Sequence, residues 1–237
     1  MDKLYIVMPV YNEEGTIEKV VDEWCPVVDA IGNGSKLVIF NDGSTDGTSA
    51  ILEGVKNKYP NMVITDKENT GHGPTCIAAY QFAIAEGANW VFQTDSDGQT
   101  SVNDFRFFWE KRKDYDFVIG HRANRKDGLA RVLISRILKF TLLILFKVSI
   151  QDANAPFRLM NADRLRLHLP LIPDHFFIPN TLLSVMITRN REKVLWRNIS
   201  FSPRSSGKSS LPLIRLSGLG IKLIKQLFEI KGLKLPQ

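Results

Sequence analysis

The sequence predicts an α/β fold in which helices flank a mostly parallel sheet, and three observations carry that prediction. Apolar runs too short for a typical helix recur at residues 4–10, 36–40, 62–65 and 90–92. Each run stops in a loop of Asn, Asp, Gly, Ser and Thr. The first three loops then lead into segments whose apolar residues recur at helical spacing. Strands alternating with helices define right-handed βαβ units, and the loops after such strands lie together at one edge of the sheet, where these folds bind ligands.

Residues 4–10 are apolar throughout, the pattern of a strand covered on both faces. Residues 11–15 form its exit loop. Ile17, Val20, Val21 and Trp24 follow with helical period behind Thr16, a residue type that caps helices. The second strand opens into Asn41-Asp42-Gly43-Ser44-Thr45-Asp46-Gly47-Thr48 before a helix over 49–58. Asp42 stands where it can accept hydrogen bonds from a base or ribose, and Asp46 is placed to cap the following turn. The third strand leads through Asn69-Thr70-Gly71-His72-Gly73-Pro74 to a helix over 75–86, and Gly71 and Gly73 let backbone approach a ligand closely.

The fourth strand carries the most specific chemistry. Its apolar residues give way abruptly to Asp95, Asp97 and Gln99 at i, i+2 and i+4, a spacing that extended chain places on one side. Three hard oxygen donors suit one Mg²⁺ or Mn²⁺, whose remaining positions are those phosphates fill. Taken alone, Asp-Ser-Asp-Gly also reads as an acidic turn capping the next helix. A calcium loop is the lesser reading elsewhere: Asp42, Ser44, Asp46, Gly47 and Glu53 match EF-hand positions, but a strand is expected before them where that motif needs a helix.

The second half changes character. Residues 1–120 carry 10 Lys and Arg against 19 Asp and Glu, a balance of −9; residues 121–237 carry 21 against 6, a balance of +15. The first half can hold a metal, and the second is built to meet anions. Another strand over 116–122 delivers His121 and Arg122 to the same sheet edge. In a helix over 131–150, Arg131, Ser135, Arg136, Lys139 and Lys147 share one half of the wheel against Leu, Ile, Val and Phe on the other. Such a helix is either a core helix with a solvated rim or one lying on lipid. A second basic amphipathic stretch over 211–234 favours the membrane surface. Asp152 is the only acidic residue between Asp127 and Asp163; it is either a structural partner for Arg158 or a neighbouring Arg, or a group that orients the acceptor or acts as a base. The loop over 201–209 gathers hydroxyls, glycine and cations suited to phosphate, yet Gly207-Lys208-Ser209 is not a P-loop, because position 202 is Ser.

Composition removes other classes. The chain has 237 residues with 44% hydrophobic content, enough for a sizeable core. Cys25 and Cys76 form neither a disulfide framework nor a zinc pattern, which points to a reducing, cytoplasmic setting. No nucleic-acid-binding motif accompanies the basic half, so phosphate esters or anionic lipid headgroups are the expected anions. No signal peptide or membrane-spanning run is expected.

As a set, Pro9-Val10-Tyr11-Asn12-Glu13, the 41–48 loop, Asn69-Thr70-Gly71, Asp95-Ser96-Asp97-Gly98-Gln99 and Phe157-Arg158-Leu159 resemble the family 2 glycosyltransferases of the GT-A fold over about residues 3–210. Within that family the chain is most similar to the dolichyl- and polyprenyl-phosphate sugar transferases. The resemblance implies a mixed, mostly parallel Rossmann-like sheet over 1–210, with 1–120 as the nucleotide-sugar half, 121–210 as the acceptor half, and a C-terminal basic amphipathic segment over 211–237. It implies that Pro9, Tyr11, Glu13 and Asp42 bind the nucleoside, with Gly71 beside it. Asp95, Asp97 and Gln99 would then surround the metal that holds the diphosphate. It also implies that Arg122, Arg131 and Ser135 receive a lipid phosphate and that Arg204 reaches the donor diphosphate. The expected reaction is inverting transfer from a nucleotide-sugar to a polyprenyl phosphate by a protein peripheral to the cytoplasmic membrane face. The alternative acceptor is a sugar hydroxyl of a lipid-linked glycan, with Asp152 as base; a non-catalytic nucleotide- or lipid-binding module is the reading from outside enzymology.

Overall fold

The computed structural model describes residues 2–122, 129–202, 223 and 225–230, with backbone alone for 129–134. Strands and helices alternate as β1 (Leu4–Val10), α1 (Ile17–Ile31), β2 (Lys36–Asp42), α2 (Thr48–Lys56), β3 (Met62–Lys67), α3 (His72–Ala85), β4 (Trp90–Gln93), α4 (Val102–Lys111) and β5 (Phe117–His121). Then follow α5 (Leu129–Phe146), β6 (Arg158–Asn161), α6 (Ala162–His168), α7 (Pro179–Arg189) and β7 (Val194–Asn198).

The strands form one seven-stranded sheet in the order β3-β2-β1-β4-β6-β5-β7. β1 pairs in parallel with β2 and β4, β2 with β3, and β5 with β7. Among the described strands β6 alone runs antiparallel, between β4 and β5. Alternation along β1 explains its unbroken apolar run. Tyr5 and Val7 enter one core with α3 and α7, while Leu4, Ile6, Met8 and Val10 enter the other with α1 and α4.

The sequence did not announce β6, because Arg158 breaks its apolar pattern. Yet Arg158 is fully buried: Nε and Nη2 donate to the Ala155 carbonyl at 2.8 and 2.5 Å, and Nη1 to the Asn180 carbonyl at 3.4 Å. Thr16 departs from its expected role as well. It occupies the N-cap of α1, but its hydroxyl bonds Glu13 and the Ser96 carbonyl instead of the helix N–H groups.

The long basic helix is present as α5, ending at Phe146 rather than 150. Leu142 and Phe146 are buried, and Ile137, Phe140, Leu143 and Ile144 are exposed. Of the expected C-terminal segment over 211–237, only 223 and 225–230 are among the described residues, and there Leu223, Leu227 and Ile230 are buried in the core that contains α3 and α7. Apolar periodicity defines a helix face but not the surface that covers it. Among the described residues, no helix is long and apolar enough to cross a membrane.

Candidate active site

The first two exit loops are tied together before they meet any ligand. Asn12, at φ 55°, donates from its backbone N–H to Ser44 Oγ at 3.0 Å and accepts from the Thr45 N–H at 2.8 Å. The Glu13 N–H donates to Thr48 Oγ1, and Glu14 accepts from the Gly47 N–H. Asp46 accepts from the N–H groups of Glu14 and Thr48, so it caps the turn as expected.

Asp42 organises the third loop. Its carboxylate pairs with Lys67 and accepts from the Thr70 N–H at 3.0 Å and the Gly71 N–H at 2.9 Å. Burial works against the charge, but the Lys67 ammonium and the Thr70 and Thr75 hydrogen bonds outweigh it and hold the carboxyl below its ordinary range. The expected nucleoside acceptor is therefore also the anchor of the 67–71 loop, a role that Lys67 shares and that sequence reasoning missed.

β4 ends at Gln93, so Asp95, Asp97 and Gln99 do not alternate along a strand; residues 96–98 turn the chain in a bend, with Gly98 at φ 67°. Ser96 fixes that turn by donating to the Pro9 carbonyl at 3.1 Å, and Thr94 and Thr100 join their hydroxyls across its base. Asp97 Oδ1 accepts from the Gln99 N–H at 3.1 Å. Gln99 donates from its side-chain amide nitrogen to the Ser202 carbonyl, 3.0 Å away, while the Gln99 backbone carbonyl accepts from the Ser202 N–H.

These loops enclose a crevice of about 370 Å³ at the C-terminal edge of β1, β2 and β4. Its lining includes Pro9, Tyr11, Glu13, Asp42, Gly71, Asp95 and Asp97 from the expected set, together with Asn69, His72 and Thr75. Gln99 is not among the lining residues. His72 Nε2 lies 3.5 Å from Cys76 Sγ; that sulfur first, then Asp95 and Asp42, push the imidazole up in pKa.

The donor set fits a divalent ion. Asp95 Oδ1 is buried and has no hydrogen-bond partner among the described residues, an arrangement that costs free energy unless a cation or donor joins it. Asp97 lines the same crevice. Among the described residues no cluster of three His, Cys, Asp or Glu stands ready for a metal. Two carboxylates that leave coordination positions to phosphate and water are the usual Mg²⁺ pattern.

The expected acceptor residues are only partly brought together. Arg122 grips Asp152 with both arms, Nε to Oδ2 at 2.8 Å and Nη2 to Oδ1 at 2.9 Å, and its guanidinium carbon lies 5.7 Å from the Phe201 ring centroid. Of the alternatives for Asp152, the structure thus shows pairing with a neighbouring Arg. Ser135 is exposed on α5; the Arg131 side chain and Arg204 lie outside the described residues. Behind the crevice, a buried polar group joins Tyr80, Gln93 and Asn180, with Asn180 Nδ2 donating to Gln93 Oε1 at 2.8 Å. Its sequence signal was an amide closing an apolar strand.

The seven-stranded α/β sheet, with its acidic crevice at the strand ends, has the GT-A fold. The chain belongs to glycosyl transferase family 2, whose model matches residues 5–170. An undecaprenyl-phosphate 4-deoxy-4-formamido-L-arabinose transferase of Yersinia pestis (strain Pestoides F) is 23% identical over 223 residues, 94% of this chain and 66% of that protein. A Yersinia pseudotuberculosis (serotype O:3, strain YPIII) transferase of the same name gives the same figures, so the chain spans about 66% of the length of these curated relatives. In fold, it is similar to glucosyl-3-phosphoglycerate synthase from Mycobacterium tuberculosis, solved with Mn²⁺, UDP-glucose and phosphoglyceric acid: TM-score 0.73, 18% identity, 98% of this chain and 81% of that one.

Proposed function

We propose that this chain is a metal-dependent, inverting glycosyltransferase that moves a sugar from a nucleoside-diphosphate donor to a polyprenyl phosphate at a membrane surface. The observation that carries the donor half is the orphaned Asp95 Oδ1 beside Asp97 in a crevice walled by Pro9, Tyr11, Glu13 and Asp42. Asp95 and Asp97 would hold Mg²⁺ or Mn²⁺, with Gln99 as a further oxygen donor anchored by Ser202. Bound there, the ion would supply positive charge to the departing diphosphate.

The acceptor half rests on charge. Arg122, Asp152 and buried Arg158 together carry one more positive than negative charge, which suits an anionic acceptor. Both oxygens of Asp152 already accept from Arg122, an arrangement that favours an orienting role over a base. A phosphate acceptor is ionised at pH 7 and needs no base. Its oxygen attacks the anomeric carbon, the bond to the diphosphate oxygen breaks, and the electron pair leaves with the nucleotide. The names of the Yersinia relatives support an undecaprenyl-phosphate acceptor.

Membrane contact is assigned to α5, where Phe140 is 64% and Ile144 60% exposed among exposed Arg136, Lys139 and Lys147. The site of action would be the cytoplasmic face, with the protein peripheral to it.

The test is a nucleotide-sugar screen with Mn²⁺ or Mg²⁺, with and without polyprenyl phosphate, on the wild type and Asp97→Ala. Transfer to the lipid phosphate, lost in Asp97→Ala at unchanged melting temperature, is the expected result. Donor hydrolysis without lipid transfer would redirect the acceptor to a sugar hydroxyl, and full activity in Asp97→Ala would remove the metal assignment.

A further inference from the structure

We infer that Gln226 is a positioning residue for the donor site, acting through the backbone of residues 175–177 on the first turn of α3. The inference rests on reading the crevice as the nucleotide-sugar site. Gln226 is buried in a helical stretch over 225–229, beside Leu227 and close to Leu223 and Ile230, all three buried in the core. Its carboxamide is used at both ends. The Phe177 N–H donates to Oε1 at 3.1 Å, and Nε2 donates to the His175 carbonyl at 3.3 Å.

That pinned loop lies directly on α3. A Cβ added to Gly73 would run into the carbonyl oxygens of Phe176 and Phe177, so loop and helix meet backbone to backbone, at a distance only glycine permits. Gly71, His72 and Thr75, from the same turn and its entry, line the crevice. A shift of the 175–177 backbone therefore has no side chain at position 73 to absorb it. The apolar surroundings would accept Met or Leu at 226. A buried carboxamide there costs desolvation unless both its donor and its acceptor are bonded, and here both are, to a single bend of chain. Its contribution is where the loop sits.

Gln226→Met keeps the length and removes the amide; Gln226→Glu keeps an acceptor but sets a carboxylate against the His175 carbonyl. Both are compared with the wild type by hydrogen exchange of peptides covering 69–80 and 173–180, by calorimetric titration with UDP and with GDP in Mn²⁺, by donor KM and kcat, and by thermal melting. Exchange should quicken in both peptides. Nucleotide Kd and donor KM should rise about five- to tenfold, as expected for two lost hydrogen bonds, with kcat within about twofold. Unchanged exchange overturns the inference, as does an unchanged Kd with kcat and melting temperature falling together, the mark of a merely structural role. A wild type that binds neither nucleotide overturns the donor reading itself, an outcome distinct from an unchanged Kd in variants of a wild type that binds.

Discussion

At the scale of single residues, the crevice is built by side chains that serve the loops first. Asp42 is the clearest case, a nearly buried carboxylate shared by Lys67 and the N–H groups of Thr70 and Gly71. Because its folded pKa lies below the unfolded value of about 3.9, its contribution to stability is fully present above about pH 4 and is lost as pH falls through the folded value. Asp42→Asn should therefore lower stability by about 2 kcal/mol at pH 7, by removing one partner of a mostly buried pair. The gap from the wild type should narrow below about pH 4, and thermal melts between pH 3 and 7 read both effects. A constant gap across that range would show that the carboxylate's charge is not what holds the loop. Proximity to a strand end marked Asp42 in the sequence; its partners were invisible there, since Thr70 and Gly71 reach it only through the pairing of β2 with β3. For Asp152 the sequence offered an arginine partner without fixing which one, because the Arg122 fork joins residues 30 positions apart.

At the scale of elements, periodicity read well where both faces of a strand are covered and poorly where a polar group is buried. β1, β2 and β4 were legible from apolar runs because these central strands bury both faces, and β3 from a short apolar run although it lies half-buried at the sheet edge. β6 was not, because Arg158 looks like a surface residue until the carbonyls of Ala155 and Asn180 come to meet it. In the C-terminal stretch the apolar pattern of Leu223, Leu227 and Ile230 was visible, and the core that covers these residues was not. α5 does not divide along the line its sequence drew between cations and apolar residues: among the apolar residues themselves, Leu142 is 1% exposed and Ile144 60%. Leu142→Ala should cost about 2–5 kcal/mol as a cavity-forming change, whereas Ile144→Ser should stay within about 0.5 kcal/mol as a surface one. Urea denaturation of the two variants measures the difference. Equal losses would mean that a further surface of the folded protein covers the outer face of α5.

At the scale of the whole molecule, the charge asymmetry and the sheet order express one arrangement. The acidic half, with β1 to β4, builds the acidic crevice; the basic half supplies Arg122, Arg158 and the cation-studded α5. Under the proposed function, a metal-bound donor would enter the acidic half while an anionic acceptor would be drawn to the basic one, matching opposite charges on each side of the reaction. If α5 rests on lipid, binding must combine apolar insertion with attraction to anionic headgroups, and the two respond differently to salt. Co-sedimentation with vesicles containing phosphatidylglycerol should be strong at 50 mM salt and several-fold weaker at 300 mM. Vesicles of phosphatidylcholine alone should bind weakly at both, because each cation near an anionic surface contributes about 1 kcal/mol. Phe140→Ser with Ile144→Ser should reduce binding at both salt concentrations, whereas Lys139→Gln with Lys147→Gln should reduce it chiefly at the lower one, where screening is least. Equal binding by all three proteins at 50 mM salt would move the membrane contact away from α5 while leaving the donor crevice untouched.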